Sequence, residues 1–231
     1  MERVLTCIPK LDRLLGGGFV EKSVTVLSGP TGSGKTMLGM QFIYNGIKEF
    51  EEPGMFITIE EGSESVSNMM KTFKLDINEY INEGKLYMVD LGEVGEKGED
   101  KDKAPQSFKE LIEILNPLIK LSGAKRLVLD SIPALAAYYK STGVFRLSLF
   151  RLRRFLQANN ITTILITEYS GDGKPTRFGI EEYIADNFIL LTESESKKKS
   201  PFYIEIKKAR SSEHDRDQHS YSIGKKGFTI S

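Results

Sequence analysis

Apolar and polar positions follow two rhythms along this chain. Residues 24–28, 55–59, 86–90, 127–130 and 161–167 are apolar runs of strand length, rich in β-branched residues. Between them apolar residues recur three or four apart: Leu11, Leu14 and Leu15; Met37, Met40, Tyr44 and Ile47; Val66, Met69, Met70 and Phe73; Phe108, Leu111, Ile112 and Leu115; Phe145, Leu149, Leu152 and Phe155-Leu156. Strands alternating with helices predict an α/β fold, a mainly parallel sheet flanked by helices. Local signals punctuate it. Gly16-Gly17-Gly18 stops the first helix, Ser63 reads as a cap, Ser107 and Glu110 form a capping box, and Pro117 is expected to disturb the helix it sits in. The glycine-rich, charged stretch 92–105 reads as a mobile surface loop.

After residue 186 the rhythm changes. Residues 188–191, 202–206, 220–223 and 228–230 are short strands with no helix-length segment between them. They predict C-terminal antiparallel hairpin strands, with turns at 197–201 and Gly227. No internal repeat or linker interrupts the pattern, so 1–231 is expected to form a single domain.

Composition narrows the picture. Apolar residues make up 39%, enough for a large core. Lys+Arg and Asp+Glu are both 32, so no overall charge argues for nucleic acid or an anionic membrane. The one cysteine, Cys7, excludes an internal disulfide and reads as a packing residue. No apolar stretch approaches bilayer length, and the first residues do not resemble a signal peptide. A soluble cytoplasmic protein with no membrane partner is expected.

The chemistry begins at Gly29-Pro30-Thr31-Gly32-Ser33-Gly34-Lys35-Thr36, a G-x-x-x-x-G-K-T loop between a strand and a helix. Such a loop turns backbone N–H groups inward around phosphates. Its lysine reaches the β- and γ-phosphates, and its threonine offers a hydroxyl to a phosphate-bound Mg²⁺. ATP and Mg²⁺ are the expected ligands. Ligands of open α/β sheets sit beyond the carboxyl ends of the strands. At that end Asp130 closes an apolar run as a second metal-side residue. Glu60 and Glu61 follow another strand, where a carboxylate can orient the attacking water, and spacing does not say which serves. Glu168 ends the fifth strand, as a γ-phosphate sensor or a plain sheet cap. Arg146, Arg151, Arg153 and Arg154 form a solvated or subunit-facing helix surface.

Together these segments resemble the RecA-like P-loop ATPases, and within them the KaiC branch, in a single-domain, archaeal-type form. The resemblance covers nearly the whole chain. It runs from Ile8-Pro9-Lys10-Leu11-Asp12-Arg13-Leu14-Leu15-Gly16-Gly17-Gly18 through Ile59-Glu60-Glu61, Leu129-Asp130-Ser131 and residues 177–186, to Lys207-Lys208-Ala209-Arg210-Ser211-Ser212-Glu213-His214. It implies ATP hydrolysis in a homo-oligomeric ring, usually a hexamer, with nucleotide between subunits and a regulatory role. It implies that Glu60 and Glu61 are the catalytic carboxylates, and that Lys208, Arg210 and His214 reach the neighbour's nucleotide. Clock members of the branch carry two such domains and phosphorylate adjacent Ser and Thr; Glu182-Tyr183 stand there, which leaves self-phosphorylation at that site unsupported. Two other functions remain open: an ATP-dependent single-stranded DNA binder using residues 170–177, which the neutral composition does not favour, and an ATP-gated scaffold with little turnover.

Overall fold

The computed structural model describes residues 1–92, 105–170, 174–194 and 202–231. The predicted loop and the turn at 197–201 lie largely outside these segments. The described strands build a nine-stranded sheet in the order β11-β10-β9-β8-β3-β7-β6-β4-β5. Its central members are β3 (Val24–Gly29), β4 (Gly54–Thr58), β5 (Leu86–Asp90), β6 (Arg126–Asp130), β7 (Thr162–Glu168) and β8 (Asn187–Glu193), all parallel. The antiparallel extension is β9 (Phe202–Ala209), β10 (His219–Gly224) and β11 (Gly227–Ile230). The sequence pattern grouped 188–191 with the hairpins. Instead β8 pairs parallel with β3 on one side and antiparallel with β9 on the other, so it is the hinge between the two regimes. A separate two-stranded ribbon joins β1 (Arg3–Val4) to β2 (Phe19–Val20).

The parallel strands read as continuous apolar runs because both sheet faces are covered. Alternate residues serve opposite cores. Leu27, Phe56, Val128, Ile164 and Ile166 face one cluster, with α2 (Lys35–Phe50), α3 (Ser63–Thr72) and the C-terminal hairpin. Val26, Met55, Ile57, Leu127, Leu129 and Leu165 face the other, with α5 (Phe108–Ser122), α6 (Ile132–Ala136) and α7 (Thr142–Ala158). The short helices α1 (Pro9–Leu14), α4 (Asn78–Asn82) and α8 (Glu181–Ile184) complete the layers.

Two local expectations are corrected. Ser63 is not the cap of α3. Gly62 holds that position, and the Asp90 carboxylate at the end of β5 accepts the Ser63 N–H at 2.9 Å. Pro117 does not interrupt α5, which runs unbroken through it. Pro117 is exposed, so water can satisfy the carbonyl its missing N–H leaves free. The capping box at Ser107 is present: its hydroxyl accepts the Glu110 N–H at 3.2 Å, and the Glu110 carboxylate accepts the Gln106 N–H at 2.9 Å. Among the described residues no helix is long and apolar enough to cross a membrane.

Candidate active site

Loop 29–36 leaves the carboxyl end of β3 and enters α2. Gly34 is the helix cap, at φ +84°. A side chain there would be strained by that angle and would put a Cβ 2.1 Å from Ile223 Cδ1. No acidic residue stands in the first turn of α2, so its N–H groups and positive dipole end face the loop uncompensated. Lys35 is the first helical residue, and its Nζ donates to the carbonyls of Gly29 (2.9 Å) and Pro30 (2.8 Å). Burial pushes its ammonium below the usual lysine range, and the charges of Asp130 and Glu168 draw it partly back. The Ser33 hydroxyl folds inward onto the Pro30 carbonyl at 2.7 Å.

Helix α2 lies close on β6 because Gly39 faces Val128; a Cβ there would come within 2.9 Å of Val128 Cγ1. This approach carries Thr36 to the end of β6, where its hydroxyl donates to the Asp130 carboxylate at 2.7 Å. Burial raises the Asp130 carboxyl above the usual range, opposed by the Thr36 hydrogen bond and the Lys35 charge. Strand β4 is in register with β6, Thr58 opposite Asp130, and Ile59 N–H donates to the Asp130 carbonyl at 3.0 Å. Glu60 and Glu61 therefore emerge beside Asp130. Their environments differ. Glu60 accepts a hydrogen bond from the buried Ser131 hydroxyl at 2.9 Å. Glu61 accepts one from the exposed Ser65 on α3, at 2.7 Å, and its backbone carbonyl receives the Thr58 hydroxyl. Lys35, Thr36, Glu60, Glu61, Asp130 and Glu168 all line one open cleft of about 380 Å³. Glu168 also pairs with Arg177 at 3.3 Å, at the edge of the stretch considered for DNA.

Lys208, Arg210 and His214 do not line this cleft in their own chain. Ala209 pairs with Asn187, which pairs with Thr25, so the end of β9 lies by the amino end of the parallel strands, opposite the end that carries the loop. Lys208 Nζ donates to the carbonyls of Glu182 (2.9 Å) and Ala185 (2.6 Å). Arg210 lies 3.9 Å from Asp186, and His214 Nδ1 lies 3.4 Å from the Ser212 carbonyl. Arg210 shares a second cleft, about 440 Å³, with Arg146, Arg153 and Tyr183. Arg153 departs from the solvated reading: it is largely buried and holds Asp186 at 2.6 Å.

A protein-family profile described as "ATPase: KaiC" matches residues 4–231. The chain belongs to the KaiC ATPase family. The circadian clock oscillator protein KaiC of Nostoc sp. is 36% identical over all of this chain and 44% of its own length. That of Parathermosynechococcus lividus is 34% identical over 97% of this chain and 41% of its own. The chain thus spans less than half the length of these relatives. Among solved structures, a KaiC-like protein from the hyperthermophilic archaeon Pyrococcus horikoshii superposes with a TM-score of 0.85 and 35% identity, covering 100% of this chain and 99% of that one.

Within this KaiC-family fold, the residues present fit a magnesium nucleotide. Thr36 and Asp130 offer hard oxygen donors side by side, and no cluster of three or more His, Cys, Asp or Glu suited to a metal occurs among the described residues. Mg²⁺ is commonly held in this way, by one or two protein oxygens together with substrate phosphates. Three features of the cleft had no sequence signal. Ser131 was read only as the residue after Asp130. Met69 and Phe73 stood only as members of a helical apolar stripe, yet they line the cleft with Ile223. Tyr221 supports the loop from 188 positions away.

Proposed function

We propose that this chain binds Mg-ATP and hydrolyses it to ADP and phosphate within a homo-oligomeric ring, a hexamer, with nucleotide between subunits and a regulatory role. The observation that carries this proposal is the 2.7 Å bond between Thr36 and Asp130 in the same cleft as Lys35, Glu60 and Glu61. Lys35 and the loop N–H groups hold the triphosphate. Thr36 and Asp130 would hold Mg²⁺, which when bound neutralises charge on the β- and γ-phosphate oxygens. Glu60 orients a water for in-line attack on the γ-phosphorus and takes its proton as the bond to the ADP oxygen breaks. Glu60 is favoured over Glu61 because Ser131, directly after Asp130, holds its carboxylate at the metal side.

Lys208, Arg210 and His214 serve the nucleotide of a neighbouring copy. Their place supports this: Lys208 and Arg210 stand by the amino end of the parallel strands, and none of the three lines the cleft of its own chain. Arg146 and Arg153 add cations to the same face. A cation supplied in trans stabilises transition-state charge and couples turnover to assembly. Subunit mixing tests it. The Glu60→Gln/Glu61→Gln double variant and Arg210→Ala are each expected to be inactive alone. Mixed equally, about a quarter of interfaces combine intact halves and regain turnover. No recovery in a mixture that light scattering shows to be assembled would refute the trans assignment. A wild-type ring that binds ATP but releases no phosphate would instead support the scaffold.

A further inference from the structure

The C-terminal hairpin reaches back onto the phosphate loop. Tyr221 on β10 is fully buried, and its hydroxyl donates to the Ser33 backbone carbonyl at 2.6 Å. Its ring stacks on Phe228 (centroids 4.3 Å apart, 20° between planes) and on Phe202 (5.6 Å, 29°). The hairpin is anchored to α2 independently, since Phe228 N–H donates to Gln41 Oε1 at 2.7 Å. Ile223, two residues on, closes over Gly34.

The direction of the Ser33 carbonyl matters because of peptide geometry. In a planar trans peptide the C=O and the following N–H point opposite ways. Ser33 is buried and Gly34 lines the cleft. A Ser33 carbonyl drawn inward to Tyr221 therefore turns the Gly34 N–H outward, into the cleft. Ser33 lies between Gly32 and Gly34, both at positive φ, and the peptide turns about the φ of Gly34, where the backbone has most freedom to rotate. Without a fixed donor for its carbonyl, this peptide can turn that oxygen toward the phosphates and repel them.

We propose that Tyr221 is a positioning residue that orients the Ser33–Gly34 peptide so that the Gly34 N–H donates to bound phosphate; this rests on the ATPase reading above. Burial holds the Tyr221 hydroxyl well above the usual tyrosine range, so it stays a donor at any working pH.

Tyr221→Phe keeps the stacked ring and deletes only the donor. Its affinity for ATP, ADP and inorganic pyrophosphate, each with Mg²⁺, is expected to fall by the same factor, about tenfold, the scale of one hydrogen bond to a charged group. The KM for ATP rises in step while kcat at saturation changes by less than about twofold. Phe202→Leu loosens the stack and leaves the hydroxyl: ligand-free melting temperature falls, and pyrophosphate affinity holds. Unchanged affinities in Tyr221→Phe overturn the proposal, as does a loss for ATP without a loss for pyrophosphate. In either case wild-type binding that is abolished by Lys35→Ala leaves the ATPase reading intact. A wild-type protein that binds neither ATP nor pyrophosphate overturns both.

Discussion

Glu60 and Glu61 are adjacent in sequence, yet their surroundings predict unequal roles, which Glu60→Gln and Glu61→Gln separate. A glutamine at 60 has the same size, and its amide oxygen can still accept the Ser131 hydroxyl now at 2.9 Å. The geometry survives, while the negative charge and the proton-accepting oxygen are lost. General-base assistance contributes about 10²–10⁴-fold. At about 1.4 kcal/mol per factor of ten, the barrier rises by about 3–5 kcal/mol. Both glutamates are exposed, but the Glu61 carboxylate is taken up by Ser65 on α3 rather than held by Ser131 beside Asp130, so Glu61→Gln is expected to cost about tenfold or less. Removing a negative charge next to a triphosphate does not weaken binding, so ATP affinity is expected to hold or tighten in both. Single-turnover phosphate release at saturating Mg-ATP, beside an equilibrium titration, gives both numbers. A loss in Glu61→Gln equal to or larger than that in Glu60→Gln would refute the assignment, and so would turnover surviving in the double variant.

Two further expectations concern buried charge. The Asp130 carboxyl is raised above its ordinary 3.8 mainly by burial, so the folded state holds this proton more tightly than the unfolded chain does, and the group's contribution to stability falls as pH rises from 3.8 through the folded value. Asp130→Asn keeps an acceptor for Thr36, so ligand-free melts should show it more stable than wild type at pH 7, with the gap closing toward pH 4, while turnover is lost; a variant less stable than wild type at neutral pH would contradict this. Arg126, only 1% exposed, bonds Glu52 at 2.7 Å and the carbonyls of Leu5 and Phe42 at 2.8 and 2.9 Å, with its guanidinium 4.6 Å above the Phe42 ring. Arg126→Met leaves those carbonyls without a charged donor, a cost of about 2 kcal/mol, and is expected to lower the melting temperature by about 4–8 °C; an unchanged melt would show the network to be dispensable.

Much of the molecule was legible in its residues because the governing forces are local or periodic. Short continuous apolar runs follow from burying both faces of a strand, and 3.6-residue recurrence from burying one face of a helix, so the order of strands and helices and the parallel core could be read directly. The Gly29–Thr36 loop was equally plain, because a phosphate nest needs glycines at fixed spacing beside Lys35 and Thr36. Asp130, Glu60 and Glu61 could be placed at one sheet end because parallel strands share a direction.

The rest depended on contacts that no local pattern encodes. Pro117 was misread because its tolerance depends on which helix face meets water. Ser63 was misread because its N–H is taken by Asp90, 27 residues later. The chain alone left Glu60 and Glu61 equivalent, and the partners Ser131 and Ser65 separate them. Tyr221 carried no signal at all, since its value comes from meeting Ser33 across 188 residues. Packing of α2 on β6 and of the hairpin on α2 sets those meetings, and packing is a property of the assembled layers rather than of any segment.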